Sequence, residues 1–91
     1  MVNWRSGDIL TITGQQLRAA RAILRWTAQD VADAARVGVA TVRRAEMQEG
    51  ALGVTAANEA AIQRALEVAG IEFIPENGGG AGLRLRERKA P

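Results

Sequence analysis

Apolar residues recur at helical spacing in four stretches of the chain and at strand spacing only after residue 70. In the first stretch Leu17, Ala20 and Leu24, with Ile23 beside them, form an inward stripe, which predicts a helix that starts after Thr13 or Gly14 and runs to about Arg25. Thr27 is a good N-cap for a second helix over residues 28 to 35. Asp30 places a carboxylate in its first turn, and Val31, Ala32 and Ala35 face inward. A third helix over residues 39 to 48 turns Val42 and Ala45 inward, and the Glu49-Gly50 and Leu52-Gly53 steps end it. Thr55 opens an alanine-rich fourth helix with Ile62, Ala65, Leu66 and Ala69 on one face and Gly70 as a left-handed stop.

Beyond Gly70 the period becomes two. Ile71 to Ile74 is β-prone, and Leu83 and Leu85 alternate with Arg84, Arg86 and Arg88. The stretch from Pro75 to Gly82, with Asn77-Gly78 and three consecutive glycines, reads as the loop of a hairpin. Residues 1 to 13 show no helical period, though Ile9 to Ile12 includes β-formers able to add an edge strand. The division is therefore an N-terminal arm over 1–13, a helical domain over 14–70, and a β element with a basic tail over 71–91. Ile71, Phe73, Leu83 and Leu85 make an apolar pair of strands too small to stand alone in water. Pairing with the same strands of a second subunit would cover their edges, so these four are the candidate dimerisation residues. Arg84, Arg86 and Arg88 on the other face either reach an anionic partner or form a solvated edge.

The second and third helices, joined by a turn of about three residues, form the unit that can lay one helix in a major groove while the other crosses the backbone. Ala32 is small where the two helices must approach closely, Val37 plugs the turn, and Val42 and Ala45 anchor the third helix. Ala40, Arg43, Arg44 and Met47 then fall at i, i+3, i+4 and i+7 on the opposite stripe. Arginine suits that position because its planar fork can bond guanine O6 and N7 together, or clamp a phosphate. Arg43 is the first choice for base reading, and Arg44 reads a base or holds the backbone. Val39 and Ala40 are placed for thymine methyl groups, and Thr27, Gln29 and Thr41 for the groove edges.

Charge supports this placement by position rather than by sum. The net charge of the 91 residues is only +2. From Gly14 to Glu46, however, Arg18, Arg21, Arg25, Arg36, Arg43 and Arg44 face Asp30, Asp33 and Glu46 alone, whereas from Met47 to Asn77 the balance is acidic. The pattern is that of a cationic binding face joined to an acidic body, or of a solvated arginine-rich surface.

The segments Leu17-Arg18-Ala19-Ala20-Arg21, Trp26-Thr27, Val31-Ala32 and Ala40-Thr41-Val42-Arg43-Arg44-Ala45-Glu46 resemble the phage-repressor-like (XRE, Cro/CI-type) helix-turn-helix regulators over roughly residues 14 to 50. Ala65-Leu66-Glu67, Gly70-Ile71-Glu72-Phe73 and Glu76-Asn77-Gly78-Gly79-Gly80 resemble a subgroup of small regulators that ends in a short β element. The resemblance implies a mainly α, lambda-repressor-like bundle of four to five helices with a C-terminal β-hairpin or dimerising strand. It also implies sequence-specific operator binding, usually by a homodimer on an inverted repeat. Three positions depart from the pattern. Arg36 stands where the family usually has a turn glycine, Gly38 replaces a serine cap, and Ala28 replaces a glutamine that contacts phosphate. These departures imply modest affinity, or reliance on a partner protein or on the arm.

Other chemistries find no residues. With neither cysteine nor histidine, the chain offers no disulfide, no thiolate metal site and no Ser/His/Asp set, and its carboxylates are not paired for acid-base work. No catalysis, metal or cofactor is expected. The triple glycine lacks a following Lys-Ser/Thr and reads as a hairpin loop rather than a phosphate loop. Trp26 reads as a core plug; Trp4 beside Arg5 fits a dimer interface or disorder better than a minor groove. No apolar run is long enough to cross a bilayer and no signal segment is evident, so a cytoplasmic location is expected. The expectation is a homodimeric regulator of transcription acting on double-stranded DNA. The alternative is a protein-interaction module, an antitoxin or adaptor, that keeps the helix-turn-helix as a scaffold.

Overall fold

Three threonines begin three of the four helices. Thr13, Thr27 and Thr55 each accept, on Oγ1, the backbone N–H three residues ahead, from Gln16, Asp30 and Asn58 at 3.0, 3.0 and 3.1 Å. At the first two the bond is reciprocal, since the Gln16 and Asp30 side chains take the N–H groups of Thr13 and Thr27, each at 2.9 Å. In the computed structural model, which describes residues 12–76 and 78–86, the helices are α1 (Gly14–Leu24), α2 (Ala28–Ala35), α3 (Val39–Glu46) and α4 (Ala56–Val68). A two-stranded antiparallel sheet, β1 (Ile71–Ile74) and β2 (Gly82–Leu85), follows. The chain is thus mainly helical with a small hairpin. Among the described residues no helix is long and apolar enough to cross a membrane.

The turns after α1 and α2 are built alike. Arg25 and Arg36, the residues after α1 and α2, both adopt left-handed backbone with φ of 59° and 60°. The next residues, Trp26 and Val37, return their N–H groups to Arg21 and Ala32 carbonyls at 3.0 Å and tuck their side chains against the core. The turn therefore keeps the left-handed geometry without glycine, and Arg36 carries the strain of its Cβ. Arg36→Gly is expected to raise stability by roughly 1 kcal/mol, about 4–8 °C in melting midpoint for a domain of this size. A lowered midpoint would mean that the arginine stem contributes more by packing than its backbone costs.

The core collects the inward stripes: Leu17 and Ala20 of α1, Val31 and Ala32 of α2, Val42 and Ala45 of α3, and Ile62 and Leu66 of α4. It also takes two residues outside any helical period. Ile12 and Leu52 are both fully buried, and an antiparallel bridge between Thr13 and Ala51 joins the segments that carry them. This moves the arm boundary, since Ile12 and Thr13 belong to the helical domain. The remainder of the expected arm, residues 1–11, lies outside the described residues. The same junction ends α3 at Glu46 rather than Gln48. Gly14 donates its N–H to the Gly50 carbonyl at 2.9 Å, and the chain after Met47 leaves the helix to meet it.

In the hairpin, Ile71 faces Leu85 and Phe73 faces Leu83. Ile71 and Phe73, read from the sequence as dimerisation residues, are 0 % and 2 % exposed within this single chain. They cannot present area to a second subunit, because α4 and the rest of the core already cover them. Leu83 is half-buried against the same core, and Leu85, 36 % exposed, retains the larger apolar surface. On the outer face Glu72 and Arg84 pair at 3.2 Å, and Gln16 of α1 donates to the Gly82 carbonyl at 2.8 Å, tying β2 to the bundle.

Candidate nucleic-acid interface

The inward and outward sides of α3 separate cleanly. Val42 and Ala45 are fully buried, whereas Ala40, Arg43, Arg44 and Met47 are exposed, Met47 by 79 %. Val39 and Thr41 are half-buried at the flanks of that stripe. Met47 sits one residue beyond the helix, its backbone still helical and its N–H bonded to the Arg44 carbonyl. The structure thus brings five of the expected contact residues, Val39, Ala40, Thr41, Arg43 and Arg44, onto one short helix with Met47 at its end.

The arginines divide into two groups. Arg18 of α1 donates to the backbone carbonyls of Glu46 and Gln48, and Arg21 bonds the Glu46 carboxylate at 2.5 Å and the Trp26 carbonyl at 3.0 Å. Both therefore neutralise the C-terminal end of α3, where carbonyl dipoles favour a cation, and lock it against α1. They are structural, and the charge count that placed them on a binding face overstated that face. Arg43 and Arg44, in contrast, make no side-chain hydrogen bond or ion pair among the described residues. Two guanidinium groups one residue apart, both exposed and uncommitted, can fork onto a base edge or a phosphate.

The N-terminus of α2 is less open to an anion than the sequence implied. Thr27 is exposed and its hydroxyl, which accepts the Asp30 N–H, keeps its own O–H to donate, but the Asp30 carboxylate occupies the N–H of Thr27. A phosphate arriving there would meet a carboxylate. Gln29 is exposed and donates to Asp33 at 2.9 Å, so its amide is engaged, though on a surface bond that water or a ligand can replace. At α3 the position is reversed: Gly38 supplies no side-chain cap, so the first turn keeps N–H groups for an outside acceptor.

Sequence reasoning did not find the partners of Arg18 and Arg21, and their i, i+3 spacing on α1 was the available signal. It places both on one exposed-to-intermediate edge of a helix that has no carboxylate of its own. Compared with protein-family models and with curated proteins, the chain matches none.

Proposed function

We propose that this chain is a sequence-specific double-stranded DNA-binding regulator of transcription, similar to the phage-repressor-like helix-turn-helix proteins, with α3 in the major groove. The observation that carries this reading is the outward stripe of α3, where Arg43 and Arg44 stand exposed and uncommitted between Ala40 and Met47. Ala40 keeps the stripe low at its N-terminal end, so the helix can enter a groove closely enough for the two forks to reach base edges. The chain acts as a homodimer whose α3 helices lie about 34 Å apart, one turn of duplex. Leu85 and the half-buried Leu83 are what the hairpin brings to that dimer.

Duplexes selected from a random pool by the full chain provide the test. Arg43→Ala is expected to cost about 1–3 kcal/mol on the selected duplex and little on a scrambled one, erasing the preference. Arg44→Ala, if its fork holds phosphate, weakens both duplexes alike and lowers the salt slope by about one. Parental binding by both variants would remove α3 from the groove. The second reading, a protein-interaction module with the helix pair as scaffold, is favoured by the carboxylate of Asp30 at the N-terminus of α2. It expects no selected sequence to emerge from the pool.

A further inference from the structure

A groove of about 600 Å³ lies between the C-terminal end of α2 and the solvent side of α4, and it shares no residue with the α3 stripe. The half-buried indole of Trp26 forms one wall, Ala35 and Ala61 the floor, and Val68, 81 % exposed, the lip. An outward helix face in water ordinarily carries charges. On α4 the exposed positions are Ala56, Ala57, Ala60, Arg64 and Val68, with Glu59 and Glu67 half-buried at the sides of that face.

The charges in the groove have one sign. Arg36 and Arg64 both line it, no carboxylate does, and neither guanidinium makes a hydrogen bond or ion pair among the described residues. An occupant that satisfies this site must bring apolar side chains for the tryptophan wall and carboxylates for the two forks. Duplex DNA offers the charge without the apolar surface. A second copy of this chain fits poorly for the same kind of reason. Its exposed acidic helix face, Asp30 and Asp33 on α2, has no large apolar neighbour, its exposed Ile23 and Leu85 lie among arginines, and its exposed Met47, though close to Glu49, ends the α3 stripe that carries Arg43 and Arg44.

We propose that this groove docks an acidic amphipathic helix of a partner protein. Its apolar edge lies on Trp26 and the alanine floor, and its carboxylates bond Arg36 and Arg64. Alanine at the floor lets the two helix backbones approach closely, and Trp and Arg are the residue types that dominate such contacts. The docking is independent of the DNA reading, since it uses neither α3 nor the hairpin.

The test titrates the full chain into two labelled, stapled synthetic helices of about three turns, followed by fluorescence anisotropy. One carries leucines along an edge flanked by glutamates; the other has lysine in place of each glutamate. The glutamate helix is expected to bind at least about tenfold more tightly than the lysine helix, and Arg36→Glu with Arg64→Glu to reverse that order. Arg64→Glu alone, on an exposed helix face, should narrow the difference and serves if the double variant misfolds. Arg43→Ala, which tests the DNA reading, leaves both titrations unchanged. Absence of binding by the glutamate helix, or equal binding of the two helices, would overturn the proposal. So would a dimeric parent that Ala61→Arg converts to a monomer by light scattering, since a second copy would then hold the groove.

Discussion

Gly14→Ala is expected to destabilise the fold by at least about 3 kcal/mol, a large part of the total stability of a small domain. On helix propensity alone the change should help, because alanine is preferred to glycine within a helix by roughly 0.5–1 kcal/mol. Space reverses the sign. A Cβ at Gly14 would stand 2.0 Å from the Gln48 carbonyl oxygen and 2.7 Å from that of Ala45. Both are backbone atoms, so no side chain can turn aside. The start of α1 would have to separate from the end of α3, stretching the 2.9 Å bond between Gly14 and Gly50 and with it the Thr13–Ala51 bridge that holds Ile12 and Leu52 in the core. Urea unfolding followed by circular dichroism measures the loss. Gln15→Ala, at an exposed neighbouring position, serves as the control and should leave the midpoint unchanged or raise it. A Gly14→Ala midpoint at or above that of the parent would show that α1 and α3 do not approach as closely as 2.0 Å implies.

That glycine also marks where local sequence rules stop. Thr27 and Thr55 announce α2 and α4 because a cap and its target lie three residues apart, and the two sides of α3 follow from the helical period alone. Gly14 reads locally as a helix start, whereas its necessity comes from Ala45 and Gln48, more than thirty residues on. Ile12 and Leu52 are isolated apolar residues in segments without a period; only the bridge between those segments makes them core. For the site, the stripe Ala40, Arg43, Arg44 and Met47 was legible, but the roles of Arg18 and Arg21 were not. A charge count gives the sign of a segment and says nothing of where its acceptors lie, and these two arginines are held by the end of α3. Arg36 was marked only by the resemblance, in which a turn glycine is usual at that position, and the structure supplies its left-handed backbone. The matching conformation at Arg25 was not marked, since its helix could have ended in several ways.

Phe73→Ala is expected to cost about 3–5 kcal/mol in the isolated chain, at every protein concentration. Strand alternation assigns Ile71, Phe73, Leu83 and Leu85 to one apolar face, but alternation cannot say whether the layer covering that face comes from the same chain or from another. Burial decides it for β1: Phe73 is 2 % exposed without any partner, opposite Leu83 and against the helical core. A two-stranded hairpin has little stability of its own, so its attachment depends on the side chains it inserts into the bundle. Truncating Phe73 removes the largest of them and leaves a cavity beneath β1. Leu85→Ala deletes a side chain that is 36 % exposed and should cost the monomer less than about 1 kcal/mol. If the hairpin also joins two copies, Leu85→Ala lowers the solution mass while the melting of the monomer is nearly unchanged, and Phe73→Ala does the opposite. A Phe73→Ala chain that melts like the parent and loses only its dimer would return this residue to an intersubunit face, and would require the core beneath β1 to be supplied from outside the chain.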